Sequence, residues 1–228
     1  MRIIKAAGVR KSYNGKTALS DVNLVFNEGE CTALCGLNGA GKSTLIRLLA
    51  GVQSPDTGRI DGPKDFSIGY MPDHIEFPGG VCGREWLTFL GRLKGLKKET
   101  SCETLIETGL ENAAGDNITG YSRGMVQRLL FSQMLLGDPD LLIMDEPESG
   151  LDPYWVHEWK NHMKLFREKG KTVIFSSHHL PDALEVAGRI IVFHKGRVVS
   201  DEQPLKWSQS GLGPDKYMFK ILEDSDAL

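Results

Sequence analysis

Eight residues near the start of the chain constrain its fold more than any other feature. Residues 36–43 read Gly-Leu-Asn-Gly-Ala-Gly-Lys-Ser and match the pattern GxxxxGK(S/T) in full. The apolar run Cys31 to Cys35 precedes them, and Leu45, Leu48 and Leu49 follow at helical spacing. Strand, glycine-rich loop and helix in this order predict a loop whose backbone N–H groups hold phosphate. A chance glycine-rich turn is the alternative, and the flanking strand and helix argue against it.

The residues of this loop have distinct expected contacts with a nucleotide. Lys42 is expected to reach the β- and γ-phosphates, and we place it among both the binding and the catalytic residues. Ser43 is expected to bind Mg²⁺ as well as the nucleotide. The other nucleotide-binding residues predicted in this segment are Gly36, Asn38, Gly39, Ala40, Gly41 and Thr44.

Two acidic residues follow a second apolar run. Leu141 to Met144 has no polar residue, as expected for a strand covered on both faces, and Asp145 and Glu146 come directly after it. Carboxylates at the carboxyl end of a parallel strand face the ligand crevice. We expect Asp145 to hold Mg²⁺ through water and Glu146 to activate the attacking water as a general base. A pair of solvated loop acids is the alternative.

The rest of the chain alternates strands with helices. Val22, Leu24 and Phe26 alternate with polar residues and predict a half-buried strand. Asp152-Pro153 is a typical helix start, and Gly170 ends that helix. A buried strand is predicted at 172–175 and a hairpin around Lys195-Gly196, whereas the last 25 or so residues show no clear pattern. This alternation predicts an α/β fold with a mainly parallel sheet.

The middle third of the chain is predicted to be helical. Between Arg84 and Leu96 one helical face carries Trp86, Phe89, Leu90 and Leu93. A second short helix is expected around Leu105, and a third over 122–136. We therefore expect one domain, with a core lobe at about 1–73 and 136–205, a helical subdomain at about 74–135 and a short extension at 206–228.

Charge and hydropathy exclude several classes of protein. The net charge is −3 and the isoelectric point about 6.1, so no nucleic-acid partner is expected. We find neither an apolar run of roughly 18 residues nor a secretory signal, which predicts a cytoplasmic protein. The four cysteines lack CxxC spacing, which argues against a zinc site or a disulfide framework.

A third motif narrows the class of nucleotide-binding protein. Residues 121–128 read Tyr-Ser-Arg-Gly-Met-Val-Gln-Arg and lie about twenty residues before Asp145. Ser122 can cap a helix whose N-terminus can meet a γ-phosphate, although a serine at a helix start can also be a cap and nothing more. The segment resembles the LSGGQ-x-QR signature of ABC ATPases, with matches at Ser122, Gly124, Gln127 and Arg128 and departures at Tyr121, Arg123 and Met125.

The resemblance to ATP-binding subunits of ABC transporters extends over roughly residues 3–200 and implies further site residues. Tyr13 matches the aromatic residue that stacks on adenine, although a strand-end tyrosine is the alternative. Residues 149–152 match the D-loop, which adds Asp152 to the ATP-binding set. His178 matches the switch histidine; we prefer it to His179 because it directly follows the Ser-Ser pair after a strand. Asp73 stands where the family's Q-loop has glutamine, and its carboxylate could still bind Mg²⁺.

The same resemblance implies a fold, an activity and partners. It implies a P-loop NTPase with a RecA-like sheet, an antiparallel β edge and an inserted helical subdomain. ATP would be hydrolysed between two copies of the chain to drive a separately encoded membrane subunit at the inner face of the cell membrane. The resemblance is to exporter types, and residues 73–95 are also similar to ATPases of nitrous-oxide reductase maturation. A soluble ABC ATPase acting on nucleic acid or ribosomes, and a regulatory module without turnover, are the alternatives.

Overall fold

The computed structural model describes residues 3–63 and 66–227. The strands are β1 (Ile3–Tyr13), β2 (Lys16–Asn27), β3 (Cys31–Gly36), β4 (Thr57–Asp61), β5 (Ile68–Met71), β6 (Leu141–Asp145), β7 (Thr172–Ser176), β8 (Arg189–His194) and β9 (Arg197–Glu202). The helices are α1 (Lys42–Leu49), α2 (Gly83–Leu93), α3 (Lys98–Glu107), α4 (Arg123–Leu135), α5 (Pro153–Glu168), α6 (Leu180–Val186), α7 (Pro204–Gln209) and α8 (Pro214–Asp226).

The strands form two sheets. The larger sheet has the order β5-β6-β7-β3-β8-β9, and its first five strands run parallel while β9 pairs antiparallel with β8. The smaller sheet, β2-β1-β4, is antiparallel throughout. The predicted α/β class, with a mainly parallel sheet and an antiparallel β edge, is confirmed.

Alternation along the central strands divides the interior into two cores. In β6, Leu142 and Met144 pack with α5 and its neighbours on one side, whereas Leu141 and Ile143 pack with α1 and the smaller sheet on the other. Successive side chains of a strand point to opposite faces, so an entirely apolar strand needs cover on both. All five residues of β6 are buried. The carboxyl ends of β3, β6 and β7 consequently meet at one edge between two rigid layers.

The helical stretch of the middle third has its own small core. Leu87, Leu105, Leu110, Ile118 and Leu129 pack together there. The apolar face that the sequence indicates for α2 is only partly covered: Phe89 is 55% exposed and Leu93 is 70% exposed. Trp86 and Leu90 of the predicted stripe pack against the small core, whereas the fully buried residues of α2 are Leu87 and two glycines.

The end of the chain, for which the sequence offered no pattern, folds onto the larger sheet. Trp207 of α7, and Met218 and Leu222 of α8, are buried in the core that also holds Met144. Tyr217 Oη lies 3.2 Å from a carboxylate oxygen of Glu202 in β9. Across residues 3–63 and 66–227, no helix combines the length and apolar character needed to cross a membrane.

Candidate nucleotide-binding and hydrolysis site

The glycine-rich loop joins β3 to α1, as the sequence predicts. Gly36 ends β3 with a φ of 139°, and a Cβ there would clash with the carbonyl oxygen of Phe193 in β8. Gly41 has a φ of 110°, and a Cβ there would lie 2.6 Å from the carbonyl oxygen of Ala18 in β2. Both positions therefore require glycine, and strands on two sides fix the loop. Asn38 and Gly39 are exposed at its tip, whereas Ala40 and Thr44 are buried.

Lys42 lies inside this loop and is only 4% exposed. Its Nζ donates to the carbonyl oxygens of Gly36, at 2.8 Å, and Leu37, at 3.2 Å. Burial lowers the pKa of Lys42, and the negative charge of Glu146 is the largest of the influences that raise it. The cation and the loop amides can thus act on the same anion.

Three hydroxyl and carboxyl groups converge where α1, β6 and β7 meet. Ser43 Oγ donates to Asp145 Oδ1 at 2.9 Å, and Ser176 Oγ donates to the same oxygen at 2.6 Å. Asp145 is 2% exposed, so these two bonds hold its carboxylate in one orientation. The predicted pair of Mg²⁺ ligands, Ser43 and Asp145, therefore lies together and presents oxygen atoms, the donors that Mg²⁺ prefers.

Glu146 follows with an unusual backbone. Its φ is 50°, in the left-handed region that few residues other than glycine adopt. The N–H of Glu146 donates to Ser176 Oγ at 2.9 Å, and its carbonyl oxygen accepts from Gln127 Nε2 at 3.0 Å. These two bonds hold the strained turn. His178 Nδ1 lies 3.3 Å from Glu146 Oε2, so the two predicted catalytic groups are neighbours.

A second carboxyl group is buried close to this pair. Glu148 is 7% exposed, and Ser177 Oγ donates a short hydrogen bond to Glu148 Oε1. Burial raises the pKa of Glu148 to about 7. Glu148, Ser176 and Ser177 are not among the site residues predicted from the sequence. An acidic residue directly before the otherwise uncharged run Ser149-Gly150-Leu151 is the signal that could have drawn attention to Glu148.

The signature residues lie at the N-terminal end of α4. Ser122 caps the helix by accepting from the Met125 N–H at 3.2 Å. Gly124 faces the Gly150 carbonyl oxygen, which would lie 3.2 Å from an added Cβ. Arg123, a departure from the consensus, is exposed, and its Nη2 donates to Ser149 Oγ at 2.7 Å.

Asp152 stands at the start of α5. It caps that helix by accepting from the Trp155 N–H at 2.9 Å. The recorded bonds of Ser122 and Asp152 are thus helix caps within this chain. They do not bring either residue into the group formed by Ser43, Asp145, Glu146 and His178.

Tyr13 and Asp73 lie at the periphery. Tyr13 pairs with Lys16 at the end of the β1–β2 hairpin, close to the strand that covers Gly41, and it is 36% exposed. Its hydroxyl group donates a short hydrogen bond to Gln53 Oε1. Asp73 is exposed just after β5 and forms neither a hydrogen bond nor an ion pair with the residues described. Its charge contributes to raising the pKa of Tyr70, after burial and Asp145.

Comparison with known proteins identifies the family. A sequence model described as ABC transporter matches residues 19–149, more than half of the 228 residues. This chain belongs to the ABC transporter family. The ABC transporter ATP-binding protein YxlF of Bacillus subtilis (strain 168) is 42% identical over 197 residues, covering 82% of this chain and 66% of YxlF. The Nod factor export ATP-binding protein I of Rhizobium sp. (strain N33) is 34% identical over 215 residues, covering 88% of this chain and 71% of the relative.

Solved structures of ABC cassettes have the same fold. A dimeric bacterial ABC transporter cassette, MJ0796, superposes with a TM-score of 0.81 at 25% identity, covering 88% of this chain and 98% of that one. The expected P-loop NTPase architecture is thereby confirmed, as is the resemblance that the three motifs indicated. The chain is an ATP-binding and ATP-hydrolysing subunit of the ABC transporter family, and it spans 66% to 71% of the length of these curated relatives.

Proposed function

We propose that this chain hydrolyses ATP at sites shared between two copies of itself and that hydrolysis drives a separately encoded membrane subunit. The observation that carries the proposal is the meeting of Ser43, Asp145, Glu146 and His178 at the carboxyl edge of the parallel sheet. A phosphate-binding loop, oxygen ligands for a cation and a carboxylate base are there within reach of one phosphate group.

Nucleotide binding is assigned to the loop, to Lys42 and to Tyr13. The loop amides and the N-terminus of α1 attract the phosphates, and the buried ammonium group of Lys42 adds a full positive charge. Tyr13 offers a partly exposed ring for stacking on adenine. The close packing of Gly36 and Gly41 keeps this cradle in place before ATP arrives, which reduces the entropy lost on binding.

The donor set fits Mg²⁺, although it supplies few protein ligands. Ser43 and Asp145 present hard oxygen atoms 2.9 Å apart, and Mg²⁺ commonly takes one or two protein ligands and completes its shell with water and phosphate oxygens. Asp73 is proposed as a further, water-mediated contact. When bound, the ion would neutralise the charge that develops on the phosphates. In the protein, Ser176 keeps Asp145 oriented for that contact.

Glu146 is proposed as the general base. A water molecule near the γ-phosphate would hydrogen-bond to the Glu146 carboxylate and transfer a proton there as its oxygen attacks the γ-phosphorus. The bond from that phosphorus to the β–γ bridging oxygen breaks in the same step, and ADP leaves. His178 Nδ1 lies 3.3 Å from Oε2 of Glu146, so the ring stands beside the proposed base, where a ring N–H can donate to the γ-phosphate. The turn at Glu146, fixed by Ser176 and Gln127, sets where this base points.

Dimerisation is proposed because the chain carries both halves of a shared site. Ser122 is the exposed N-cap of α4, the position from which a helix N-terminus can bind phosphate, and the structurally similar cassette MJ0796 is dimeric. Each signature would then face the phosphate loop of the other copy. Such an isologous arrangement is the common form of a homodimer.

A membrane partner is proposed to dock on the helical subdomain, for which we retain the bounds of about 74–135. Its small separate core supports treating it as a unit. Phe89 and Leu93 of α2 leave an apolar surface uncovered in the isolated chain. The relative from Rhizobium is named as an export ATP-binding protein, which favours export and a position at the inner face of the membrane.

The decisive experiment measures ATP-driven dimerisation and turnover together. Glu146→Gln should bind ATP, lose on the order of 10²–10⁴-fold in turnover, and run as a dimer in ATP but as a monomer in ADP. Glu168→Gln, an exposed change at the end of α5, serves as the matched control. Affinity purification from detergent extracts should also recover a multi-span membrane protein. Wild-type turnover by Glu146→Gln, or recovery of ribosomes or nucleic acid alone, would refute the proposal.

A further inference from the structure

Glu148 is a buried acidic group that the proposed reaction does not use. It lies two residues after Glu146 and is 7% exposed. Its Oε1 accepts from Ser177, whereas its Oε2 has no hydrogen-bond partner among the residues described. A carboxyl group that is buried and only half satisfied destabilises a fold. Its presence beside a catalytic pair therefore requires an explanation.

The contacts of Glu148 run through Ser177. Ser177 Oγ, which donates to Glu148, also accepts from the His179 N–H at 2.9 Å. The N–H of Ser177 donates to the Leu34 carbonyl oxygen at 3.1 Å, which fixes Ser177 to β3. Ser177 therefore lies at the carboxyl edge of the sheet, directly after β7, and connects Glu148 to the backbone on the far side of His178.

The two segments joined by this contact carry the catalytic pair. Glu146 and Glu148 share one turn, in which the Ser149 N–H donates to the Glu146 carbonyl oxygen at 3.0 Å. The Leu151 N–H donates to the Glu148 carbonyl oxygen at 3.3 Å, so the turn continues into the D-loop. The Glu148–Ser177 contact thus spans from the turn after β6 to the segment after β7, parallel to the contact between Glu146 and His178.

We propose that Glu148 is a positioning residue for ATP hydrolysis. Its carboxyl group, hydrogen-bonded to Ser177, sets the distance between the turn that carries Glu146 and the segment that carries His178, and it couples this distance to residues 149–152. This inference rests on the proposed function, because the distance between Glu146 and His178 matters for turnover only if Glu146 acts as the general base.

Glu148 keeps a substantial neutral fraction at neutral pH, because its pKa is raised to about 7. Burial is the largest cause of the raised pKa; the Ser177 hydrogen bond opposes it, and the carboxylates of Glu146 and Asp182 add to it. Lys42 and the Cys35 thiol are the other titratable groups that feel its charge. A neutral carboxyl group keeps the hydrogen bond without repelling Glu146. Glutamine is therefore the conservative replacement, since it retains both the oxygen acceptor and the neutral charge.

Measuring kcat together with the Kd for a nucleotide distinguishes a positioning role for Glu148 from a role in ATP binding. We compare Glu148→Ala, Ser177→Ala and Glu148→Gln in the full chain at pH 7, with Glu168→Gln as the control. Alanine at either position should lower kcat by roughly 10- to 100-fold, while the Kd of a fluorescent ATP analogue changes by less than about threefold. Glu148→Gln should restore most of the turnover that alanine removes. The double alanine variant should be hardly worse than either single one, because both remove the same contact.

Hydrogen–deuterium exchange provides a readout that does not require turnover. Peptides that contain the His179 amide should exchange faster in Glu148→Ala and Ser177→Ala than in wild type or Glu148→Gln. Wild-type turnover and exchange in Glu148→Ala would overturn the inference, as would equal losses of kcat in the alanine and glutamine variants. If the wild type itself fails to hydrolyse ATP, the proposed function fails. The exchange comparison then still decides whether Glu148 orders the segment after β7.

Discussion

Arg123 Nη2 donates a hydrogen bond of 2.7 Å to Ser149 Oγ, and this bond joins the signature segment to the D-loop within one chain. Where the signature of ABC ATPases has glycine, this chain has a long cation packed against Gly150. The positive charge lies one residue from Ser122, which is proposed to meet the γ-phosphate of the other copy. An exposed cation at such a helix N-terminus would add to the attraction for that phosphate.

Arg123→Ala should therefore weaken ATP-driven dimerisation. The expected loss is about 1 kcal/mol, or roughly fivefold, because the arginine is solvent-exposed and screened. Ser149→Ala removes the hydrogen bond and keeps the charge, so it should change dimerisation much less. Sedimentation equilibrium in the Glu146→Gln background, at two salt concentrations, measures both effects. Equal losses in the two variants would assign the role to the hydrogen bond instead of the charge.

Tyr13→Ala should weaken ATP binding through lost stacking on adenine. The expected loss is about 1–2 kcal/mol, the usual contribution of one aromatic ring stacked on a base. Tyr13→Phe retains the ring and loses only the contact with Gln53, so its affinity should stay close to wild type. Titration of both variants with a fluorescent nucleotide makes the comparison. Normal affinity in Tyr13→Ala would mean that the tyrosine serves the hairpin and not the nucleotide.

Asp73 is predicted to act where the family uses glutamine. Asp73→Gln should remain active, whereas Asp73→Ala should bind ATP but lose the stimulation of turnover by the membrane subunit. Because a carboxylate near the triphosphate is repelled by it, wild type should also need more Mg²⁺ than Asp73→Gln. The ATPase rate of the assembled transporter against Mg²⁺ concentration tests this. Full stimulation and unchanged Mg²⁺ dependence in Asp73→Ala would leave His74 as the next candidate.

Glu148 should also make the stability of the fold depend on pH. Its pKa is about 7 in the fold and 4.5 ordinarily, so the folded state holds a proton that the unfolded state releases first. The resulting stabilisation is present in full below pH 4.5 and is lost as the pH rises through 7. Between pH 5 and pH 8, the free energy of unfolding of wild type should fall by roughly 2–3 kcal/mol more than that of Glu148→Gln. Urea unfolding of both proteins at the two pH values measures the difference, and parallel losses would contradict it.

The phosphate loop and the strand before Asp145 could be predicted from the sequence, because each depends on the types of residues that are adjacent along the chain. Glycine is required at Gly36 and Gly41 by backbone conformation, so the motif predicts geometry directly. The burial of Glu148 was not predictable in this way, because it arises only when the segments after β6 and β7 pack together. The stripe on α2 was visible at helical spacing, but the sequence did not reveal that Phe89 and Leu93 remain uncovered.

The backbone of Glu146 has a consequence for the evolution and engineering of this protein. A left-handed φ of 50° is unfavourable for any residue with a Cβ, and only glycine adopts it freely. Replacement by glycine should then make the chain more resistant to denaturation, by about 1 kcal/mol, while it removes the proposed base. Selection for stability alone would replace this glutamate with glycine, whereas selection for activity retains it, so stability and activity conflict at this position.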